Sequence, residues 1–492
     1  MKKSIIKDTL RYTTANNFAQ GLGIINSIVL RRFMGPEAMG IWTTLQVLLG
    51  YCGYASFGTT RAMARDYPYL RGRGEHGKAE ELKDMTLTFS LIMSVLPMLL
   101  IWFYLGFKFK RLELPFAVGL AFLSLFLFFQ RFYDLVITLL RSDKKFEILS
   151  RLIVLNAVGT FLVSFCFVSL WNIYGLFVGT VLVTAFCLFF IFRSHRYHFR
   201  YYWDSRRLLK ELKLGIPLVA TSFLLEFLRG LDRLLIAQKL GFYEVGLYSI
   251  AIMVNSYVFS LPMMFAHVWY PNLQEAYGRG GGDARVIKNY LTTPVSIFTT
   301  LIPFLCGLGI FIVPLLVDLF LPRFTDGLSA MKVYLMGSYF LILAQLSSNF
   351  LVTIDRYLIE IPILIISVIL NGVFNLFFLN VGLGILGVAI GTTLSFCFYG
   401  IASFVMAMRY VEDGKESLAH MVQMTLILSA LFAAIYLIDL SIRLPNLYGE
   451  VLLKIFLLAL FSFPFFWRLE KQTAVFRSFL DHLKGAKSAQ KT

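Results

Sequence analysis

The amino-acid sequence predicts an all-α, polytopic membrane protein of about 14 transmembrane helices, and three observations carry that prediction. First, 58% of its 492 residues are hydrophobic, 49 of them Phe, and only 15% are charged. A soluble core of this length cannot hide that much apolar surface, whereas a bilayer solvates it directly. Second, apolar stretches of about 20 residues, enough to span a ~30 Å hydrocarbon core, recur along the whole chain. Third, no loop between them exceeds about 27 residues, which leaves no room for an extramembrane catalytic domain.

The elements follow in order. Lys2, Lys3, Lys7 and Arg11 precede the first apolar run with no small-x-small cleavage site after it, so the run reads as an uncleaved helix rather than a signal peptide. Six spans are expected near 14–34, 39–58, 85–106, 114–138, 149–171 and 174–193, the last two joined only by Trp171-Asn172-Ile173-Tyr174. A polar, basic stretch from Arg193 to Lys213 interrupts the series. Six more spans are expected near 214–238, 244–266, 290–318, 328–352, 358–380 and 386–409. After Glu412-Asp413-Gly414-Lys415 come a final pair near 420–440 and 450–467 and a polar tail. The expected organisation is an N-terminal lobe over 1–200, a pseudo-symmetric C-terminal lobe over 201–412, an additional helix pair over 413–470 and a tail over 471–492.

Positive charge sets the orientation, because cytoplasmic loops retain Lys and Arg. With the N-terminus inside, 33 of the 46 Lys and Arg fall in inside segments and 10 in outside segments. The net charge of +17 therefore reads as topology rather than as a nucleic-acid surface. Both termini are expected in the cytoplasm.

The chain also repeats itself. Asn26–Leu45 aligns without gaps on Asp232–Ala251, which places Gly35 on Gly241, Gly40 on Gly246 and Trp42 on Tyr248. Tyr67-Pro68-Tyr69-Leu70 matches Tyr270-Pro271-Asn272-Leu273, and Leu155-Asn156-Ala157-Val158 matches Leu370-Asn371-Gly372-Val373. Gly175 to Thr180 matches Gly387 to Thr392. Six helices per unit is an even number, so the repeat is parallel, about an axis along the membrane normal.

With these residues in view, a first helix ending in Arg31-Arg32-Phe33-Met34-Gly35-Pro36-Glu37-Ala38-Met39-Gly40-Ile41-Trp42 resembles the opening motif of the Wzx-type polysaccharide-biosynthesis flippases. So does Asp232-Arg233 followed by Leu240-Gly241 and Glu244-Val245-Gly246-Leu247-Tyr248. That family belongs to the multidrug/oligosaccharidyl-lipid/polysaccharide (MOP) exporter superfamily, and the resemblance runs over essentially the whole chain. It implies translocation of a polyprenyl-diphosphate-linked oligosaccharide between leaflets of the bacterial inner membrane, by alternating access and without a nucleotide or other cofactor. It further implies membrane lipids as partners, with a polysaccharide polymerase and a chain-length regulator as possible company. Residues 420–467 would then help form a groove for the lipid tail.

Charges at bilayer depth mark the candidate site, because each costs at least ~2.5–3.5 kcal/mol to insert and so faces a cavity or a partner. Glu226, Arg229 and Arg233 share one face of the seventh span, beside Asp232. Guanidinium matches a diphosphate in charge and donor geometry, so Arg229 and Arg233 are headgroup candidates. The alternative is that Glu226, Arg229 and Asp232 neutralise one another and hold the bundle in register. Gln130, Arg131 and Asp134 form a second set on the fourth span, as a cavity wall or as a buttress. Asn17, Gln20 and Asn255, with Asn16 and Asn26, suit sugar hydroxyls or ordinary interhelical hydrogen bonding. Arg61 would attract the incoming diphosphate or snorkel to lipid phosphate. Glu226, Asp134 and Asp232 are the acids that could couple transport to an ion.

Other features are bland. Five cysteines sit in apolar runs without metal spacing. His195 and His198 have no ligand set nearby, and Gly278 to Asp283 lacks the Lys-Ser/Thr of a phosphate loop. No metal site and no nucleic-acid partner are expected. The competing readings are a MATE-like multidrug or cation exporter, which should favour acids and aromatics over bases; a membrane polysaccharide polymerase or glycosyltransferase, which would carry a larger outer loop; and a scramblase-like protein, which would not need buried charge along a repeat.

Overall fold

A computed structural model describes residues 2–194, 197–412 and 414–473, so His195 and the tail beyond 473 lie outside the described residues. Thirteen α-helices order these residues: α1 (Lys2–Gly53), α2 (Thr59–Gly72), α3 (His76–Lys108), α4 (Leu114–Ser142), α5 (Phe146–Ser194), α6 (Ser205–Lys239), α7 (Phe242–Arg279), α8 (Lys288–Phe320), α9 (Leu328–Thr353), α10 (Glu360–Asn380), α11 (Gly384–Met408), α12 (Gly414–Ser441) and α13 (Leu447–Thr473). Short 3₁₀ turns join several of them, and no strand occurs among the described residues. Among the described residues ten helices are long and apolar enough to cross a membrane, or up to 11 if a bent pair is one span. The all-helical, multi-pass membrane architecture expected from composition is therefore present.

Two long helices are each broken once. In α1 the backbone at Gly35 takes φ 72° and ψ 178°. Pro36 bars its predecessor from the helical region, and glycine alone reaches this conformation without strain. In α5 the break falls at Asn172, with φ 50°, inside the Trp171–Tyr174 connection expected from sequence. Each of these helices is thus two helical segments meeting at a kink. α6 bends by 44° between Ser205–Pro217 and Val219–Lys239; the proline removes an N–H and its ring crowds the preceding turn.

The chain divides into two compact units at the Ser249–Ile250 bond, inside α7. In the first unit α5 packs on α1 and α4, while α2 packs on α3 and α6. One apolar core joins Leu45, Leu120, Leu176 and Phe177; others gather Met63, Tyr67, Leu82 and Leu139, and Val136, Leu152, Cys187 and Ile191. α2 is a short amphipathic helix, burying Ala62, Met63 and Tyr67 while Arg65, Tyr69 and Arg71 stay exposed. Below it Asp143 accepts from Arg71 and, at 3.0 Å, from the Tyr197 hydroxyl. Burial and that carboxylate push the Tyr197 ionisation up.

In the second unit α9 lies between α8 and α11, with Tyr334, Tyr339 and Phe350 fully buried. α10 packs on α11 through a closed amide–hydroxyl network: the Asn371 amide donates to Ser395 Oγ (2.8 Å), and the Asn375 amide donates to Asn371 Oδ1 (2.9 Å). α12 and α13 pack on each other and on α8. Large apolar side chains elsewhere stand outward, including Phe103 and Phe107 on α3 and Leu426, Leu452, Phe456 and Phe463 on α12 and α13. Water would penalise such belts; lipid tails do not.

Candidate functional site

α6 presents Ser222, Glu226, Arg229 and Arg233 at spacings of four, three and four, hence on one face. The end of α1 lies against that face. Gly50 leaves room for Glu226, since a Cβ there would stand 3.4 Å from Glu226 Oε1. Tyr51 packs its ring 5.3 Å from that of Phe227 and donates its hydroxyl to the Phe227 carbonyl at 3.3 Å. Tyr54, in the turn that follows, meets Phe223 edge-on at 5.6 Å and sits in the electrostatic reach of Glu226, Arg61 and Arg229.

Arg61, in the first turn of α2, completes the group. Its Nη1 donates to Ser222 Oγ at 2.7 Å. The approach depends on a backbone crossing, in which a Cβ on Gly215 would come within 2.8 Å of the Gly58 carbonyl. Arg61 is solvent-exposed, while Glu226 and Arg229 are half-buried. Two guanidiniums, one carboxylate and two hydroxyls thus gather where α1, α2 and α6 meet. Chemically this is a donor-rich surface with one acid, suited to an oxyanion and hydroxyl-bearing ligand.

One turn further along α6 the charges serve local structure. Asp232 has no exposure; it accepts the Arg233 backbone N–H at 2.7 Å and the Tyr248 hydroxyl at 3.1 Å. Arg233 places its Nε 3.6 Å from that carboxylate and donates Nη2 to the Arg229 carbonyl at 2.8 Å. Arg131 approaches the α1 end from α4. Its buried guanidinium donates to the Gly53 carbonyl at 2.5 Å and to the Cys52 carbonyl, satisfying acceptors that a helix terminus leaves open. Asp134 is exposed and accepts from the Gln130 amide at 2.8 Å.

The amides divide. Asn17 and Gln20 are exposed on α1, and Asn16 donates to the Tyr12 carbonyl at 2.9 Å. Asn255 belongs to the second unit, where it is buried and accepts from Ser338 Oγ. The structure therefore brings Arg61, Glu226 and Arg229 together, sets Arg131 against the carbonyls that end α1, and gives Asn255 an internal partner. Sequence reasoning did not name Ser222, Tyr51 or Tyr54. Ser222 was within reach of the pattern that found the others, four residues before Glu226. The two tyrosines carry no such periodic signal. Glu360 also went unnoticed: it is 2% exposed in the second unit and accepts from Ser348 Oγ at 2.7 Å. Among the described residues no cluster of His, Cys, Asp or Glu could hold a metal ion.

No curated protein sequence matches the chain at a significant level. Solved structures do match in fold. An inward-facing multidrug resistance MATE family transporter of the MOP superfamily shares 16% identity over 80% of this chain and 94% of its own, with a TM-score of 0.68. The lipid II flippase MurJ in an inward closed conformation shares 13% identity over 94% of this chain and 99% of its own, with a TM-score of 0.66. The profile of the family described as polysaccharide biosynthesis protein matches residues 29–323. That match takes in α2 to α8 whole and covers more than half the sequence, so the chain, with the fold of the MOP transporters, belongs to the polysaccharide biosynthesis protein family.

Proposed function

We propose that this protein moves a polyprenyl-diphosphate-linked oligosaccharide from the inner to the outer leaflet of the bacterial cytoplasmic membrane, by alternating access of two halves. The observation that carries the reading is the Arg61–Ser222–Glu226–Arg229 cluster in a chain of a polysaccharide biosynthesis family. Arg229 and Arg61 would receive the diphosphate, while Tyr54 and Ser222 would meet headgroup oxygens. Arg131 and Arg233 would act by holding the helices that carry the site. Glu226, Asp134 and Asp232 remain the coupling-ion candidates, with Asp134 the exposed one.

The proposed topology has fourteen spans. The breaks at Gly35 and Asn172 support it, because dividing α1 and α5 there and leaving α2 at the surface turns the thirteen helices into fourteen crossings. The lobes would be 1–200 and 201–412, followed by the pair 413–470 and a cytoplasmic tail. Polysaccharide polymerase and chain-length regulator are the partners such a carrier would feed.

A multidrug exporter is the competing reading within the fold. Two guanidiniums at the cluster oppose a cationic cargo, and MurJ accounts for more of the chain than the MATE transporter does. The test is genetic. In a strain lacking this gene, lipid-linked glycan should accumulate on the inner leaflet, and Arg229→Ala should fail to clear it. Loss of one charge-assisted contact of about 1.5–3 kcal/mol predicts roughly a tenfold to hundredfold fall in flipping. Unpolymerised units accumulating on the outer leaflet would instead assign the protein a role after transport.

A further inference from the structure

An open trough of about 1000 Å³ runs along the surface of the first unit, between the first turns of α1 and the two segments of α5. Its lining changes character along its length. From the start of each helix, α1 offers Arg11, then Thr14, then Phe18, while α5 offers Glu147 and Arg151 with Ser150 between them, then Val154 and Val158. Spacings of three and four keep each set on one helix face. Tyr12 meets Phe146 edge-on at 6.0 Å, so the two helix starts stand side by side. Both walls therefore pass from charge and hydroxyl to hydrocarbon in the same direction. The α1 face continues to Gly21, where a Cβ would meet nothing within 4 Å, so the apolar end stays open.

The charged end has a surplus of base. Arg151 donates to Glu147 Oε1 at 2.8 Å, and Arg11 stands 3.6 Å from the same oxygen. One carboxylate between two guanidiniums leaves most of their N–H donors for another acceptor. The neighbouring sequence extends the surplus with every acid counted. Residues 1–11 carry Lys2, Lys3, Lys7 and Arg11 against Asp8, and residues 141–151 carry Arg141, Lys144, Lys145 and Arg151 against Asp143 and Glu147. Both chain segments that lead into the trough are net basic.

We infer that this trough holds an anionic glycerophospholipid of the leaflet on the N-terminal side, as a resident lipid that fastens the start of α1 to α5. The phosphate sits on Arg11 and Arg151, the glycerol ester lies beside Thr14, and an acyl chain follows Phe18, Val154 and Val158. The order of polarity along the trough is the order of groups along such a lipid. Charge then selects the anionic kind. An ethanolamine head brings an ammonium into a surplus of bases, where Glu147 accepts it only by giving up its guanidiniums, whereas an anionic head neutralises the surplus. The site shares no residue with the Arg61–Ser222–Glu226–Arg229 cluster or with residues 420–467, and it does not rest on what the protein carries.

Native mass spectrometry of the full chain, titrated separately with phosphatidylglycerol, phosphatidylethanolamine and undecaprenyl phosphate, tests the site. Phosphatidylglycerol should be retained preferentially. Arg11→Gln/Arg151→Gln should weaken that retention about thirtyfold, as the loss of two bases beside an anionic head implies. Glu147→Gln removes the acid and leaves both bases, so it should tighten retention severalfold, a gain that loss of a merely structural ion pair would not produce. Val154→Trp fills the trough with every charge kept and should displace the lipid as well. Thermal unfolding midpoints in detergent control for folding. Equal retention of phosphatidylethanolamine, undiminished binding in the double variant or in Val154→Trp, no gain in Glu147→Gln, or preferential occupancy by undecaprenyl phosphate would each overturn the assignment.

Discussion

At the scale of single residues, the chain shows how a charge inside a membrane protein divides between binding and construction. Arg131 and Arg229 look alike in sequence, each a base in an apolar span with an acid three residues away. Their surroundings separate them. Arg131 is 8% exposed and spends two donors on the Cys52 and Gly53 carbonyls, whereas Arg229 is half-buried beside Tyr54 and Glu226. Removing Arg131 leaves two acceptors at a buried helix end, which costs about 1–3 kcal/mol. Arg131→Ala should therefore lower the thermal unfolding midpoint in detergent, and flipping per folded molecule should change far less than in Arg229→Ala. A variant with normal stability and lost transport would move Arg131 into the binding surface. Sequence reasoning found these bases because insertion energy makes any membrane-depth charge conspicuous. It could not rank them, since partners such as a backbone carbonyl carry no residue signature. Tyr54 and Tyr51 stayed hidden for the same reason: a tyrosine in an aromatic-rich chain is unremarkable until its neighbours are known.

At the scale of helices, the repeat read from sequence has a physical counterpart in how pairs of helices touch. A Cβ on Gly40 would fall on the Phe242 carbonyl, and one on Gly246 would fall on the Pro36 carbonyl. Pro36 corresponds to Phe242 in the alignment as Gly40 does to Gly246, so α1 and the start of α7 meet in a reciprocal contact of equivalent positions. Either Gly40→Ala or Gly246→Ala must push the two backbones apart. Because both strain one crossing, the double variant should lose markedly less than the sum of the singles, a coupling that thermal unfolding of the four proteins measures directly. Additive losses would mean that the contacts are independent. A second equivalence lies in separate hairpins: Gly179 admits Val163 between the segments of α5, and Gly391 admits Asn375 between α10 and α11. The match of Gly175–Thr180 with Gly387–Thr392 thus reflects a shared packing need. What sequence could not supply was the network of Asn371, Asn375, Thr392 and Ser395, because amides and hydroxyls in apolar runs have many possible partners.

The extra helix pair is fastened by charge as well as by packing. Asp439 on α12 receives Lys332 of α9 at 2.5 Å and Lys454 of α13 at 3.1 Å, and Lys454 also reaches Glu450 at 2.7 Å. Lys454 is nearly buried and its ammonium lies 5.8 Å from the Phe311 ring centre on α8. Asp439→Asn leaves Lys332 without its carboxylate and Lys454 with Glu450 alone, at a half-buried site. The expected loss is about 1–3 kcal/mol, between the exposed and buried limits for an ion pair. Faster hydrogen exchange should be confined to α12, α13 and the facing turn of α9. Uniform acceleration over the whole chain would show that the pair is no separate element.

At the scale of the whole molecule, the remaining question is orientation, which follows from charge counting. Composition and apolar run length were sufficient to call an all-helical membrane protein, because burying that much hydrocarbon admits few other solutions. They left the number of crossings to be inferred, since a glycine–proline kink and an asparagine break join helices that hydropathy alone treats as neighbours. If the breaks at Gly35 and Asn172 each mark a return through the membrane, then single cysteines at Gly74, Lys144 and Gly280 must lie on the same side as the N-terminus. Cysteines at Arg111, Arg323 and Asn446 must lie opposite. In a background freed of the five native cysteines, a membrane-impermeant maleimide added to intact cells should label the second set and spare the first until the membrane is opened. The position after the α5 break is decisive. Were α5 one continuous span, every loop after Ser194 would exchange sides, and Gly280 would react while Arg323 did not. That outcome would reverse the inside excess of Lys and Arg over the second half of the chain. The charge bias and the Asn172 break therefore stand or fall on the same labelling pattern.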